Sequence, residues 1–598
     1  MHYRSSLGIE AKGGGSAVAA IKGWKMYQGK GRCACAGVTV GKILHIITPV
    51  TSTSEAAVTY TQDKDQELQL LEQALEQSRQ ELDALIDKAQ AELGAEQAEI
   101  FEIHRMMLDD PDICDNIRDT IQNELLPVSC AALKVGEQQA AEFAQLDDDY
   151  MKARAADIKD VTARIARNAR GEKSLVLTEN VVLVADDLQP SQTIALDRSK
   201  ILGILLRHGT QNSHASILAR TMNIPLIINA QLPISLNERS EGDPASDADS
   251  VCDLSGHTVA LNAVDGTFYI DPDEETSQRL QAVQAEFAAA RARQEKLKGQ
   301  PAISKHGHRI MTFANIGQVD DVEQVLANDA EGIGLFRSEF LYLGRSTPPT
   351  EEEQFKAYAK VASTMNGKLV IIRTLDIGAD KKVDYFDLPH EENPALGLRA
   401  LRLCLFMPEI FKTQLRAIFR AAARGNIAMM FPMVTRLKEV ERALKICDEV
   451  EAELKANQIE YKRPKIGIMI ETPAAAILSR SLAEHVDFFS IGTNDLNQYT
   501  TACDRQNENL ADYSDPHHEA VIELLRIIAQ NAHAAGIPVG ICGELAADPE
   551  LTDTFIEMGF DELSVSPGAV LALRERICNS EAQCLNPCPA ALDKLQAH

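Results

Sequence analysis

The sequence predicts a multidomain α/β protein, with a helical bundle inserted in a small α/β domain, then a linker helix and a C-terminal (β/α)8 TIM barrel. Three observations predict it. Leu68, Leu71, Leu75, Ser78, Leu82 and Leu85 recur at alternating spacings of three and four, the seam of a packed helix. From about residue 175 to 272 the pattern changes to short apolar strands punctuated by Gly, Asp and Pro, as in a small α/β domain. Beyond residue 300, eight apolar segments alternate with amphipathic helices over roughly 250 to 300 residues, which is the length of a (β/α)8 barrel.

Residues 1–32 include Gly13-Gly14-Gly15 and a Lys/Gly-rich stretch ending at Arg32, with no sustained apolar run. They are expected to form a disordered N-terminal extension and no secretory signal. The α/β domain is expected at 33–60 and 171–275, with a strand over Val38 to Ile46 pairing with Val181 to Val184, Ile201 to Leu206 or Thr267 to Ile270. That pairing makes the bundle, 61–170, an insertion. Its helical pattern runs from Asp63 to Ala89, continues through Ile100 to Leu108 and breaks at Asp109-Asp110-Pro111. Two or three more helices follow to about Arg170. Residues 237–250 are polar and read as a surface loop. The linker helix, 276–300, is charged and Ala-rich, a semi-rigid connector. In the barrel, 301–598, strands are expected at Thr312 to Ile316, Gly332 to Phe336, Leu369 to Thr374, Ala428 to Met433, Ile466 to Ile470, Phe488 to Ile491, Pro538 to Ile541 and Glu562 to Val565.

Composition narrows the function classes. A chain of 598 residues exceeds one ordinary core. No apolar run reaches the roughly 20 residues that span a bilayer. The net charge of −28 argues against a nucleic-acid-binding face, which needs clustered Lys and Arg, and permits a basic protein partner. The 12 cysteines show no paired zinc spacing, which favours a reducing compartment and a cytoplasmic location.

The ends of the expected barrel strands carry the chemistry. Arg337, Arg373, Glu471, Asn494 with Asp495, and Cys542 lie at or just after strand ends, and Arg399 and Arg505 lie in segments that reach the same side. Active sites of such barrels form at the strand C-termini. Guanidinium forks suit planar and tetrahedral anions. Glu471 and Asp495 supply hard oxygen ligands suited to Mg²⁺, which takes one or two carboxylates and leaves its other positions to water and substrate. A phosphoryl donor site follows. Cys542 reads either as a small core residue or as a general acid beside an enolate. Upstream, His214 follows Asn212-Ser213 and precedes Ile217 and Leu218 at helical spacing, in the first turn of a helix capped by Asn212 or Ser213. A helix N-terminus disfavours imidazolium and offers N–H groups to an attached phosphate. A lone histidine at a helix start also fits a plain surface or capping residue.

Asn212-Ser213-His214-Ala215-Ser216-Ile217-Leu218-Ala219-Arg220 resembles the phosphohistidine motif of the phosphoenolpyruvate (PEP)-utilising enzymes. Several barrel runs, in order, resemble PEP-protein phosphotransferase, enzyme I of the bacterial sugar phosphotransferase system. They are Gly334 to Phe340, Arg373 to Gly378, Glu391 to Pro394, Gly467 to Ala474, Phe488 to Leu496 and Cys542-Gly543-Glu544. In the bundle, Leu146 to Tyr150 and Ala155 to Asp160 are similar to the family's partner-binding region, so the resemblance spans about residues 35 to 598. It implies that Arg337, Arg373, Arg399, Asn494, Asp495 and Arg505 hold PEP, that Glu471 and Asp495 bind Mg²⁺, that Cys542 is the proton donor, and that His214 carries the phosphoryl group. It also implies release of pyruvate, transfer to a histidine of the carrier protein HPr docked on the bundle, and a homodimer formed through the barrel.

Two departures from the family pattern stand out. Gly209-Thr210-Gln211-Asn212-Ser213-His214 replaces Gly-Gly-x-Thr-Ser-His, and Ala34-Cys35-Ala36-Gly37 stands where Ala-Ser-Pro-Gly is usual. Asn212 still offers an amide and a cap, so altered rate is expected rather than inactivity. Pyruvate phosphate dikinase and PEP synthase share the histidine domain and barrel but also need a nucleotide-binding module, for which no room is expected here. The alternative is a catalytically impaired paralogue that binds PEP or a carrier as a regulator.

Overall fold

The computed structural model describes residues 26–46, 63–92, 95–144, 149–172, 177–188, 198–209, 215–216, 219, 224–233, 254–343, 345, 347–378, 383–386, 388, 390–504, 507, 510, 513 and 515–588. The expected extension up to residue 25, the 237–250 loop, His214 with its Thr210 and Asn212 departures, and Arg505 all lie outside them. The chain divides into two compact units, Met1–Ala290 and Arg291–His598.

The first unit holds a mixed eight-stranded sheet and a five-helix bundle. Strands β1 (Tyr27–Lys30), β2 (Arg32–Cys35), β3 (Val38–Ile46), β4 (Val181–Ala185), β5 (Ile201–Leu206), β6 (Leu226–Ile228), β7 (Thr258–Asn262) and β8 (Thr267–Ile270) lie in the order β1-β8-β7-β3-β4-β5-β6-β2. The centre, β3-β4-β5-β6, is parallel and buried, so Val181–Ala185 is apolar throughout as a doubly covered strand must be. Residues 27–32, expected within the disordered extension, correct that expectation. Tyr27–Lys30 pairs antiparallel with Ile270 back to Thr267, and Arg32 pairs with Ile228. These edge strands are short, with Gly29 and Lys30 in β1 and Arg32 in β2, charges that protect sheet edges and hide them from an apolar-run criterion.

Between β3 and β4 run α1 (Lys64–Glu92), α2 (Ala95–Met107), α3 (Pro111–Glu124), α4 (Val128–Ala144) and α5 (Asp149–Ala169). Leu71, Leu75, Leu82, Ile117, Ile121, Val161 and Ile165 form one core. The break at Asp109-Asp110-Pro111 is a cap: Asp110 accepts from the Asp112 N–H, with Pro111 in the first turn. Ser78 is the polar member of the α1 seam. It is fully buried, donates to the Ala74 carbonyl and accepts from Asn168 at 2.9 Å, so it costs no unpaired polar group. A helix over Glu274–Glu295 then leaves the sheet, where Leu280 packs with Ala260 and Tyr269.

In the second unit, β9 (Met311–Ile316), β10 (Ile333–Arg337), β11 (Val370–Arg373), β12 (Ile427–Phe431), β13 (Lys465–Ile470), β14 (Phe489–Ile491), β15 (Val539–Ile541) and β16 (Glu562–Val565) close into a barrel, with β16 pairing back onto β9. Every pairing is parallel. One cluster, with Met311, Phe313, Leu335, Ile371, Met430 and Met469, fills the inside, and a larger one lies between strands and helices. No helix among the described residues is long and apolar enough to cross a membrane.

The barrel interior also holds an acid. Glu562 is 2% exposed, and a Cβ on Gly540 or Gly334 would fall 2.2 or 2.1 Å from its carboxyl oxygens. Two strands therefore lack side chains where that carboxyl sits. Burial, helped by Asp561, pushes it up to about 8. A carboxyl raised in the fold holds its proton more tightly folded than unfolded. Between the usual carboxylate range and about pH 8, stability therefore falls as pH rises. Glu562→Gln removes that loss, so its urea midpoint should exceed the wild-type value by more at pH 9 than at pH 5.

Candidate active site

Strand periodicity explains why the expected residues meet. Side chains two apart along a strand share a face, and the inward rows of four barrel strands each end in a functional group at the C-terminal rim. Leu335 is followed by Arg337, Ile371 by Arg373, Met469 by Glu471, and Gly540 by Cys542. Arg337 and Arg373 are in register on adjacent strands. Asn494 and Asp495 stand in the first turn of the Thr493–Thr501 helix that follows β14.

Buried charges of alternating sign link these ends. The Arg373 guanidinium bonds Glu339 at 2.6 Å and Asp376 at 2.9 Å. Asp376 also receives Arg399 at 3.0 Å, and Arg399 reaches Asp495 at 3.4 Å and the Tyr499 hydroxyl at 3.2 Å. Arg373, Arg399, Asp376, Glu339, Glu471 and Asp495 are all buried. Burial alone would lower both guanidiniums, but the carboxylates around them outweigh it and hold both above the ordinary arginine value. Glu471 moves the other way. Burial, Asp495 and Asp376 push its carboxyl up, against the pull of Arg373 and Arg399.

Strained backbone supports the array. Met433 has a φ of 56°, and its N–H donates to Glu471 at 2.6 Å. Ala400, next to Arg399, has a φ of 54° and a ψ of −128°, a conformation that costs about 1–3 kcal/mol in a non-glycine residue. Glu391 fixes the same loop by accepting the Leu398 N–H at 2.8 Å. Tyr499 closes it by donating to the Ala395 carbonyl at 2.5 Å.

Cys542 is 3% exposed, and its thiol donates to the Ile491 carbonyl at 3.6 Å. Burial pushes the thiol up to about 12, so it holds its proton at neutral pH, as a proton donor requires. Asn494 accepts the Glu544 N–H at 3.1 Å, two residues beyond Cys542. Arg337 is exposed at the mouth, with no ion pair among the described residues.

Comparison with known proteins identifies the family. Residues 30–154, 177–244 and 291–582 match, in turn, the N-terminal, mobile and PEP-binding domains of PEP-utilising enzymes. A phosphoenolpyruvate-protein phosphotransferase of Priestia megaterium is 38% identical over 552 residues, covering 92% of this chain and 93% of that protein. The Bacillus subtilis phosphoenolpyruvate-protein phosphotransferase is 37% identical over 562 residues, 93% of this chain and 95% of that one. The chain belongs to the phosphoenolpyruvate-protein phosphotransferase family. It is accordingly an enzyme of the phosphotransferase class. A Haemophilus influenzae phosphoenolpyruvate-protein phosphotransferase is 39% identical over 508 residues, 84% of this chain and 86% of that one. A solved structure described as Enzyme I covers 43% of this chain at 28% identity, with a TM-score of 0.33, too low to bear on the fold.

In this phosphotransferase chain the structure brings together Arg337, Arg373, Arg399, Glu471, Asn494, Asp495 and Cys542 on one barrel rim. His214 and Arg505 lie outside the described residues. Sequence reasoning gave no role to Glu339, Asp376 or Tyr499. A signal for one of them was available: Asp376 lies three residues after Arg373, its partner, whereas Glu339, two residues after Arg337, pairs instead with Arg373 of the next strand. Among the described residues no group of three or more His, Cys, Asp and Glu is arranged to hold a metal. A magnesium ion needs only one or two carboxylates, and Glu471, raised by burial and then by its like-charged neighbours, is a carboxyl that a divalent cation would relieve.

Asp376 is the shared partner of both buried arginines. Asp376→Asn leaves Arg373 with Glu339 and Arg399 with Asp495 as remaining carboxylates, and chemical denaturation of the full chain should show a loss of roughly 1–3 kcal/mol for the weakened charged hydrogen bonds.

Proposed function

We propose that the enzyme transfers the phosphoryl group of PEP to His214 and then to a histidine of the carrier protein HPr, releasing pyruvate. The observation that carries this reading is the buried Glu339-Arg373-Asp376-Arg399-Asp495 array beside the protonated thiol of Cys542. It joins fixed anion-binding charge to a proton donor at one barrel mouth.

On this reading Arg337, Arg373, Arg399, Arg505 and Asn494 hold the phosphate and carboxylate of PEP. Glu471 and Asp495 would hold Mg²⁺, which when bound neutralises charge on the phosphoryl oxygens. The neutral imidazole of His214 attacks phosphorus in line, and the bond from phosphorus to the enolate oxygen breaks. Cys542 gives its thiol proton to C3 of the enolate, completing pyruvate.

The 33–60 and 171–275 segments serve as the phosphohistidine domain, 61–170 as the HPr-binding domain, 276–300 as the linker and 301–598 as the PEP-binding barrel. A groove of about 550 Å³ against α3 and α4 supports carrier docking. Asp112, Asp119 and Glu142 line it with Met107, Ile113 and Phe143, a surface suited to a partner with a basic, partly apolar face. Exposed Leu396, Phe406 and Ile477 of the barrel unit support a homodimer through that unit. The free cysteines among the described residues support a cytoplasmic location.

With labelled PEP and Mg²⁺, the native chain should take up acid-labile phosphate and pass it to HPr. His214→Ala should stay unlabelled, and a chelator should abolish labelling of the native chain. A native chain that binds PEP yet never becomes labelled overturns the reading.

A further inference from the structure

On the proposed reading the thiol of Cys542 gives its proton to one carbon of a short-lived enolate, so its placement decides the step. A misplacement of about 1 Å costs up to roughly 10²-fold in rate. Cys542 stands one residue beyond the end of β15, and the paired register between β15 and β16 stops one residue short of it, at Ile541 and Leu563. On the β14 side its N–H donates to the Ile491 carbonyl at 3.1 Å. On the β16 side the strand ladder does not reach it.

Asn315 supplies what the ladder does not. Met311 and Phe313 face the barrel interior from β9, and Asn315, two residues further along, ends that inward row at the rim. Its Nδ2 donates to the Cys542 carbonyl at 2.9 Å and to the Ser564 carbonyl at 3.1 Å. Its Oδ1 accepts the Ser564 hydroxyl at 2.7 Å. Carbonyls only accept, so the nitrogen must face them and the amide has a single orientation. Ser564 is fully buried, and Gly334 of β10 leaves it room, since a Cβ there would lie 2.6 Å from both the Cβ and the Oγ of Ser564. One side chain on β9 thus reaches across β16 to the residue that carries the thiol, where the barrel closes. Both amide hydrogens go to main-chain carbonyls, which leaves Asn315 no donor for an anionic substrate.

We infer that Asn315 is the positioning residue of the protonation step. By holding the Cys542 carbonyl it fixes the peptide plane from which the thiol projects, and with it the face of the enolate that receives the proton. The inference rests on Cys542 as proton donor in the proposed reaction. Asn315 acts through Cys542 alone: the S–H bond still breaks as the C3–H bond forms. Without the amide, two rim carbonyls lose their donor and the Cys542 peptide is free to turn. The enolate then outlives its donor. It takes the phosphoryl group back, or it leaves the site and is protonated by water on either face.

The test reads the handedness of the product methyl group. The full chain, with Mg²⁺ and HPr, turns over PEP that carries one deuterium at a defined position on C3, in tritiated water, and the pyruvate is reduced at once to lactate. Its methyl then holds hydrogen, deuterium and tritium, and a fixed donor gives one hand. Wild type should give one hand. Asn315→Leu, which keeps the volume and drops the amide, should give a nearly racemic methyl, with kcat down about tenfold or more and PEP affinity within about twofold of wild type. Ser564→Ala, which frees the amide oxygen but keeps both donors, should fall between the two. A generally loosened barrel lowers the amount of working enzyme and leaves the handedness of the remaining turnovers alone. One-handed pyruvate from Asn315→Leu, at whatever rate, therefore overturns the inference. If Asn315→Leu does not fold, Ser564→Ala decides by the same measure, and wild-type handedness there overturns it. Racemic pyruvate or no phosphoryl transfer in the wild type strikes instead at the reading on which this inference rests.

Discussion

The barrel rim is organised by one electrostatic constraint, that buried guanidiniums be neutralised where they stand. Arg373 and Arg399 are almost wholly excluded from water, and each survives there only because carboxylates ring it. Asp376 is shared between them, and Glu339 and Asp495 close the two ends. The order of the row is therefore fixed. With Glu471, four carboxyl groups face two arginines, so burial and the like charge of Asp495 and Asp376 push the Glu471 carboxyl up. A surplus of carboxyl groups over guanidiniums suits a divalent cation.

Fixing such a row demands strain in the backbone that carries it. Arg399 sits on a loop rather than on a strand, and its neighbour Ala400 adopts a conformation few non-glycine residues take. The loop is held there by Glu391 and Tyr499. Met433 pays a similar conformational penalty to aim its N–H at Glu471. Of the nine non-glycine residues with positive φ among the described residues, these two touch the array, where stored strain serves geometry at the expense of stability.

Much of this was legible from periodicity. The α1 seam and the eight barrel strands follow from spacing alone, because a period of two or of alternating three and four survives without any knowledge of partners. The strand-end residues were legible for the same reason. What escaped depended on pairing across the chain. Glu339 looks like an ordinary polar residue until Arg373 is seen beside it, and Asp376 like the partner of Arg373 alone until Arg399 is. Tyr27–Lys30 reads as tail because an edge strand is specified by its neighbour β8 and not by its own apolar content. Ser78 reads as a flaw in the seam until Asn168, ninety residues on, is found to bond it.

The electrostatics also bear on why a thiol, rather than a carboxylic acid or an imidazole, suits the proton-donor role proposed for Cys542. The rim already carries excess negative charge, so a second carboxyl beside Glu471 would raise both and leave neither reliably ionised for a metal. An imidazolium beside Arg373 would face a like charge in a buried site. A thiol is neutral when protonated, small enough to end the inward row of β15, and kept protonated by the same burial that neutralises its surroundings. Its weakness as a donor in water matters less against an enolate, which is a far stronger base than the thiolate it leaves behind.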